Sequence, residues 1–279
     1  MKLTLGFSPC PNDTFIFDAM VHGKIDTEGV TFQYYLADIE DLNRKALDGK
    51  PDITKISCFA YAFAAPDYLI LDSGSALGSN NGPLLISKRK INPSEISSIK
   101  VAVPGRYTTA NMLFSIAWPE VSDKTELLFS EIEDALLSEE FDAGLIIHES
   151  RFTYHKKGLY KIADMGEFWQ ELTGLPVPLG MIAINRRIPA ETALKVNRII
   201  RKSVEYALLH PSDSCNFVSE NAKEMERSVM SRHIDLYVNE YTRNLGANGK
   251  LAISELFRIA RKKGIIPELP EQIFLTMNN

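Results

Sequence analysis

The chain has 279 residues, a net charge of −5, and a composition that is 45% hydrophobic and 24% charged. This length supports two modest domains with their own cores, and the composition is typical of a globular protein. The excess of 36 acidic over 31 basic residues provides no electrostatic basis for binding nucleic acid or an anionic membrane surface. We therefore predict neither a nucleic-acid partner nor a membrane partner.

The absence of membrane, export and disulfide patterns narrows the class of protein further. No stretch approaches the roughly 20 apolar residues that a transmembrane helix needs. The chain enters a strand pattern directly and shows no secretory signal, which predicts a cytoplasmic location. Cys10, Cys58 and Cys215 are odd in number and widely spaced, so neither a disulfide framework nor a metal site is predicted.

The first part of the chain predicts an α/β unit. Residues 1–7 alternate like a short strand, residues 8–14 form a polar loop, and residues 15–21 form an apolar helix. An amphipathic helix at residues 39–47 and a strand at residues 52–57 follow.

The same layout recurs near residue 100. Residues 99–103 predict a strand, Thr108 and Thr109 are candidate N-caps, and residues 110–118 predict a helix. Ser130 is predicted to begin a helix with a capping-box pattern, and residues 142–147 predict a strand. Two units of similar plan predict two lobes, with a cleft between their matching edges.

In each unit a polar loop leads into the amino terminus of a helix. The unpaired N–H groups and the dipole at such a terminus favour an anion. A small carboxylate or phosphate held between the lobes is therefore the predicted ligand.

His148 is the first polar side chain after the apolar run at residues 143–147. That run is predicted to be a buried parallel strand, and ligands of open α/β sheets bind beyond the carboxyl ends of the strands. Histidine transfers protons near neutral pH. His148 is thus a candidate general base, and the alternative interpretation is a hydrogen-bonded loop residue.

The chain is predicted to cross twice between the lobes, which gives a hinge suited to closure around a ligand. A strand at residues 83–87 is predicted to end the first lobe, and a strand at residues 181–185 is predicted to return to it. The predicted lobes are residues 1–97 and 179–279 for lobe 1 and 98–178 for lobe 2, with crossings near 88–100 and 176–181.

The last third of the chain is predicted to be helical. Apolar residues at helical spacing predict helices at residues 190–209, 231–244 and 250–263. His210 and His233 are interpreted as structural residues of these helices. The helices offer a candidate surface for a homodimer, but the sequence leaves the oligomeric state open.

Four sequence blocks carry a family resemblance, and they lie at residues 8–15, 52–57, 104–111 and 146–149. In this order they resemble the 1,4-dihydroxy-6-naphthoate synthase family, lyases of the futalosine route to menaquinone. The first block, Ser-Pro-Cys-Pro-Asn-Asp-Thr-Phe, is the specific one, and the others support it by their order. The resemblance implies a two-lobed α/β fold of the periplasmic-binding-protein type II class, with two crossover segments and a helical C-terminal region.

The resemblance also implies the reaction and the residues that carry it. Cyclic dehypoxanthine futalosine, an aromatic carboxylate, would be split into 1,4-dihydroxy-6-naphthoate and dihydroxyacetone without a metal or redox cofactor, with His148 as the proton acceptor. Asn12 and Asp13 are candidate additional cleft residues, and with Tyr154 they are unranked candidates for protonating the leaving fragment. The implied substrate contacts are Lys55, Ile56, Ser57, Thr109 and Ala110.

Two alternatives share this fold. A sibling enzyme resembling chorismate dehydratase would not be expected to carry the Ser-Pro-Cys-Pro-Asn-Asp-Thr block. A non-catalytic two-lobed protein that binds a small carboxylate would normally carry an export signal and would not need a base at position 148.

Overall fold

The computed structural model describes residues 1–79, 81–222 and 226–276. The strands in chain order are β1 (Lys2–Phe7), β2 (Thr31–Leu36), β3 (Ile53–Ser57), β4 (Tyr68–Ile70), β5 (Ala76–Gly78), β6 (Leu84–Ser87), β7 (Val101–Val103), β8 (Lys124–Glu126), β9 (Ala143–Ile146), β10 (Tyr160–Asp164) and β11 (Val177–Asn185). The α-helices are α1 (Pro11–Val21), α2 (Ile39–Leu47), α3 (Cys58–Ala64), α4 (Thr109–Ala117), α5 (Ile132–Leu137), α6 (Met165–Thr173), α7 (Ala190–Leu209), α8 (Cys215–Asn221), α9 (Arg227–Tyr237), α10 (Glu240–Arg243) and α11 (Gly246–Lys262).

The strands form two separate mixed sheets. The first has the order β2-β1-β3-β11-β4, with β5 paired to β11, and the second has the order β10-β6-β9-β7-β8. Parallel pairs join β1 to β2 and β3 in the first sheet, and β7 to β8 and β9 in the second. The prediction of two α/β units that build separate sheets is confirmed.

The first crossing between the sheets differs from its prediction. Strand β6 pairs with β9 and β10 in the second sheet, so the prediction that residues 83–87 complete the first lobe is wrong. All four residues of β6 are buried, and a strand buried on both faces carries no alternation that would indicate its sheet. The crossing therefore lies between Gly78 and Leu84, and the lobe boundaries, which remain a prediction, shift accordingly.

The return strand contains its predicted residues, whereas the second crossing lies between Asp164 and Val177, ahead of most of the predicted residues 176–181. The chain leaves the second sheet after β10 and rejoins the first as β11, which contains the predicted strand at residues 181–185. In the first sheet, β11 is antiparallel to β3, β4 and β5. Residues 223–225 and 277–279 of the predicted return segment lie outside the described residues.

Helix α1 begins at Pro11, four residues before its predicted start. Proline fits the first helical position, because its fixed φ suits the helix and the N–H that it lacks would have no intrahelical partner there. The sequence around Pro9 and Pro11 indicated a loop instead. The earlier start places Asn12 and Asp13 in the first turn of a buried helix.

In the second unit, the predicted cap of α4 is confirmed, but that of α5 is not. The Thr108 hydroxyl accepts a hydrogen bond from the Asn111 N–H at 3.4 Å, and α4 follows directly. Helix α5 begins at Ile132 without a side-chain cap at Glu131.

The C-terminal helices follow the predicted order with changed bounds. Helix α7 has its predicted bounds, and α11 begins at Gly246 instead of Lys250. The predicted helix at 231–244 is two helices, because the Asn239 side chain accepts a hydrogen bond from the Tyr241 N–H and starts α10. Among the described residues, no helix combines the length and apolarity needed to span a membrane.

Candidate active site

A cavity is lined by residues from the parts of the chain that form both sheets, including residues at or just after the carboxyl ends of β1, β3 and β9. It contains about 650 Å³ of empty space, including the part open to solvent. Its wall consists of Ser8, Asn12, Asp13, Ile39, Lys55, Ser57, Ala76, Asn81, Pro83, Thr108, Thr109, Ala110, Ile147, His148, Leu179, Gly180, His233 and Tyr237.

Most of the predicted site residues meet at this cavity. Those in the wall are Asn12, Asp13, Lys55, Ser57, Thr109, Ala110 and His148. Ile56 is outside the wall and fully buried in the core. Tyr154 is also outside the wall and packs against the apolar cluster around β9, so it is not placed to protonate a ligand in this cavity.

His148 has an unusual backbone conformation for a residue with a side chain. Its φ is +58°, in the left-handed region, at the point where β9 gives way to a 3₁₀ turn at His148–Phe152. A non-glycine residue in this region costs on the order of 1–3 kcal/mol and persists only where its surroundings impose it. Such strain is concentrated at functional sites, which supports a functional interpretation of His148.

The imidazole of His148 contacts a buried thiol. Cys10 Sγ lies 3.2 Å from Nδ1 of His148, within hydrogen-bonding distance. Burial raises the pKa of Cys10 well above its ordinary value, and the negative charge of Glu149 adds to this effect, so Cys10 is a neutral thiol. Cys10, His148 and Glu149 also offer potential metal-ligand atoms within 4.8 Å of one another. A neutral thiol must lose its proton to bind a metal.

His233 is a second histidine in the wall, although the sequence analysis interpreted it as structural only. It is fully buried on α9, and its ring stacks against that of His148 with centroids 6.2 Å apart. Its Nε2 lies 3.0 Å from Oδ1 of Asn12. Burial, followed by the positive potential of His148 and Lys55, lowers the pKa of His233 well below its ordinary value, so the ring is neutral.

A buried ion pair forms another part of the wall. Lys55 Nζ lies 2.7 Å from Oδ1 of Asp13, with side-chain exposures of 7% and 1%. Asp13 also accepts hydrogen bonds from the Ser8 hydroxyl at 2.7 Å and from the Asn12 amide at 2.9 Å. The carboxylate is therefore compensated by one full charge and several donors, as a buried charge requires.

Ser57 and the start of α4 form a site that suits an anion. The Ser57 hydroxyl accepts a hydrogen bond from Nδ2 of Asn43 at 3.1 Å, which leaves its own proton to be donated into the cavity. The N–H groups of Thr109 and Ala110 lie in the first turn of α4, where no intrahelical acceptor exists. The Thr109 hydroxyl instead bonds the backbone, accepting from the Cys58 N–H and donating to the Leu179 carbonyl.

Glu40 stabilises this site through hydrogen bonds to Asn43 and to the loop before α4. Its carboxylate accepts hydrogen bonds from the Tyr107 N–H at 3.1 Å and from Nδ2 of Asn43 at 3.3 Å. It thereby connects α2 to the loop that precedes α4. Burial raises the pKa of Glu40 to about 7, against the opposing effect of the Asn43 hydrogen bond.

We expect Glu40 to make stability depend on pH. Because the folded-state pKa lies above the unfolded value of 4.5, the native state retains a proton that the unfolded state has lost. The Glu40 contribution is fully present below about pH 4.5 and is lost as pH rises towards 7. Urea unfolding of wild type and Glu40→Gln from pH 4.5 to 8 measures it, and the wild type should lose stability relative to the variant as pH rises. Parallel curves for the two proteins would contradict the prediction.

The architecture matches known structures across almost the whole chain. A crystal structure of a protein from Archaeoglobus fulgidus superposes with a TM-score of 0.89 at 37% identity, covering 95% of this chain and 98% of that one. A Candida albicans protein described as having the generic periplasmic binding protein fold superposes with a TM-score of 0.72 at 12% identity, covering 100% and 99%. The fold and its cavity define a two-lobed α/β protein of the periplasmic-binding-protein class.

Sequence comparison narrows this class to a family. A family model described as menaquinone biosynthesis matches residues 3–262, and the chain belongs to that family. A 1,4-dihydroxy-6-naphthoate synthase from Thermus thermophilus is 40% identical over 273 residues, which is 98% of this chain and 99% of the relative. A protein of the same name from Streptomyces coelicolor is 40% identical over 276 residues, covering 96% and 95%.

Proposed function

We propose that this protein is a 1,4-dihydroxy-6-naphthoate synthase, a carbon–carbon lyase of the cytoplasm that splits cyclic dehypoxanthine futalosine into 1,4-dihydroxy-6-naphthoate and dihydroxyacetone. The observation that carries the proposal is the conformationally strained His148 at the wall of a cavity that also contains an anion site. Two relatives of this name, each 40% identical over nearly the whole chain, support it.

In the proposed mechanism His148 acts as general base. It removes a proton from the sugar-derived part of the substrate, and the C–C bond to the ring system breaks with its electron pair passing to the ring system. The proton is then returned to the products, and aromatisation of the naphthalene product drives the step. Cys10 Sγ lies 3.2 Å from Nδ1 of His148. In the proposed mechanism Nδ1–H donates to this sulfur, which leaves the lone pair of the neutral imidazole on Nε2. The same contact keeps the ring oriented as its charge changes.

The substrate carboxylate is proposed to lie at the start of α4. The N–H groups of Thr109 and Ala110 and the hydroxyl of Ser57 are the donors, and the helix dipole adds a favourable partial charge. This placement uses the backbone of Thr109, because its hydroxyl is engaged with Leu179 and Cys58.

A binding protein without chemistry would have the same fold and cavity. The strain at His148 and its contact with a buried thiol favour a catalytic role, because anion binding alone needs neither. A chorismate dehydratase-like activity stays as the second candidate, since it would use the same two-lobed architecture.

One assay tests these alternatives together. Purified protein is incubated with cyclic dehypoxanthine futalosine, or separately with chorismate, and the products are followed by ultraviolet spectra and mass. We expect 1,4-dihydroxy-6-naphthoate from the first incubation. Product from chorismate only would favour the sibling activity, whereas tight binding without product would favour a binding protein.

Replacement of Ser57 by alanine should weaken substrate binding. A hydrogen bond to a charged group contributes about 1.5–3 kcal/mol, which corresponds to roughly a 10- to 150-fold rise in Kd. Calorimetry on a catalytically inactive background measures the change. Ser203→Ala is the matched control, because Ser203 is an equally buried serine that bonds the Ile16 carbonyl instead of lining the cavity. Equal Kd values for Ser57→Ala and Ser203→Ala would argue against the placement of the carboxylate.

A further inference from the structure

Asn81 lies where the chain passes from the first sheet to the second, between β5 and β6. Its side chain is in the wall of the cavity and is fully buried. Within the described part of the chain, neither Oδ1 nor Nδ2 has a hydrogen-bond partner. The site therefore contains a carboxamide whose donors and acceptor are withdrawn from solvent and unused by the protein.

Such an arrangement costs stability unless a ligand completes it. More than nine in ten buried polar groups are hydrogen-bonded, and an unpaired one loses its hydration without compensation. His233 in the same wall differs, since its Nε2 is paired with Asn12 and its buried Nδ1 faces the Glu149 carboxylate at 4.0 Å, beyond hydrogen-bonding distance. An unsatisfied carboxamide in the cavity wall indicates a ligand with matching polar groups.

Close backbone packing holds Asn81 in place without hydrogen bonds to its amide. A Cβ at Gly78 would lie 2.7 Å from Nδ2 of Asn81, so the amide lies directly against a glycine backbone. A Cβ at Gly82 would lie 2.1 Å from the backbone nitrogen of Gly166, and Arg151 donates a hydrogen bond to the Gly82 carbonyl. Gly78 and Gly82 therefore lie in close contact with their surroundings, and this packing holds the Asn81 amide at the cavity wall.

The chemistry of the amide indicates what it binds. A carboxamide offers one acceptor oxygen and two N–H donors and carries no charge, which suits hydroxyl and carbonyl groups. The carboxylate is proposed to bind elsewhere, at Ser57 and the start of α4. We propose that Asn81 binds the hydroxyl groups of the sugar-derived part of the substrate, an inference that rests on the proposed function and adds a second subsite to it.

The test distinguishes a ligand-binding role of Asn81 from a structural role. It compares two ligands and measures the thermal stability of the variants. Asn81→Leu removes the polar atoms at similar size, and Asn81→Ala repeats the comparison in case leucine does not fit. Both variants are compared with wild type for cyclic dehypoxanthine futalosine turnover and for binding of naphthalene-2-carboxylate, an aromatic carboxylate without hydroxyl groups. We expect KM for the substrate to rise roughly 10- to 100-fold, as for loss of hydrogen bonds to a buried partner, while naphthalene-2-carboxylate affinity changes little.

Thermal unfolding of the ligand-free proteins distinguishes Asn81 from an asparagine with a structural role. The change in Tm on substitution by leucine should have the opposite sign for the two. Asn81→Leu should raise Tm or leave it unchanged, because an unsatisfied buried amide is removed. Asn239→Leu is the matched control, since its amide donates to the Leu77 carbonyl and accepts from the Tyr241 N–H, and it should lower Tm.

Several outcomes would overturn the inference. A lower Tm in both Asn81 variants with unchanged KM would show a structural role, and an equal loss of affinity for both ligands would show general disruption of the cavity. Turnover by wild type with unaffected Asn81 variants would remove the subsite and leave the proposed function standing. Absence of turnover in wild type would instead remove the proposed function.

Discussion

Replacing His148 with asparagine is expected to lower kcat for cyclic dehypoxanthine futalosine by about 10²- to 10⁴-fold, the usual contribution of a general base. Asparagine retains much of the size and some hydrogen bonding of histidine but has no nitrogen that can accept the proton. It also tolerates the left-handed conformation at this position, so the fold should remain intact. Steady-state kinetics measures the loss, and KM should change much less than kcat.

A second histidine provides the control for this experiment. His210 lies at the carboxyl end of α7, is exposed, and is outside the cavity wall, so His210→Asn should retain wild-type kcat. Loss of a general base usually leaves much less than a tenth of the activity. If His148→Asn retained more than about a tenth of wild-type kcat, another residue would have to accept the proton. Circular dichroism and Tm verify that any loss is not due to unfolding.

Replacing Lys55 with methionine is expected to destabilise the protein strongly. The substitution leaves the carboxylate of Asp13 buried without its counter-charge, and breaking a buried ion pair in this way costs about 3–5 kcal/mol. Urea unfolding measures the free energy, and substrate turnover should fall as well, because both side chains are in the cavity wall. This is the largest stability effect that we expect from a single change at the site.

The double variant Lys55→Met/Asp13→Asn distinguishes the charge effect from a loss of packing. Removing both charges should restore most of the stability, since no buried charge is left unpaired and the amide oxygen can still accept the hydrogen bond from the Ser8 hydroxyl. Lys50→Met breaks an exposed lysine–aspartate pair with Asp48 and should change stability little. A double variant that is as unstable as Lys55→Met would mean that packing, and not the unpaired charge, accounts for the effect.

The sequence was informative about those parts of the site that follow directly from local structure. Ser57 and His148 end or follow buried strands, and Thr109 and Ala110 begin a capped helix, so their exposure at one edge could be predicted from strand and helix patterns. The distances between the side chains of the site could be obtained only from the structure. The 3.2 Å contact between Cys10 and His148 joins residues 138 positions apart, and no periodicity in the sequence encodes that distance.

Other wall residues could not be predicted at all from sequence. His233 lies on a helix with ordinary amphipathic spacing, and only the packing of α9 against α1 and β5 brings it to the cavity. Asn81 follows a serine- and glycine-containing stretch that indicates a turn, and its missing hydrogen-bond partners become visible only when the surrounding backbone is in place. A buried, unsatisfied polar group is a property of three-dimensional surroundings and has no signature in local sequence.

At the level of the fold, the sequence by itself determined the elements whose own patterns are strong. Helices α2 and α7 have their predicted bounds, because amphipathic spacing and helix-ending residues lie within the segment itself. Tertiary structure decided which sheet β6 joins and where the predicted helix at 231–244 breaks. The pairing of β6 depends on strands distant in the chain, and Asn239, which caps α10, also bonds the distant Leu77 carbonyl. Periodicity records only whether a residue is buried and not which surface buries it.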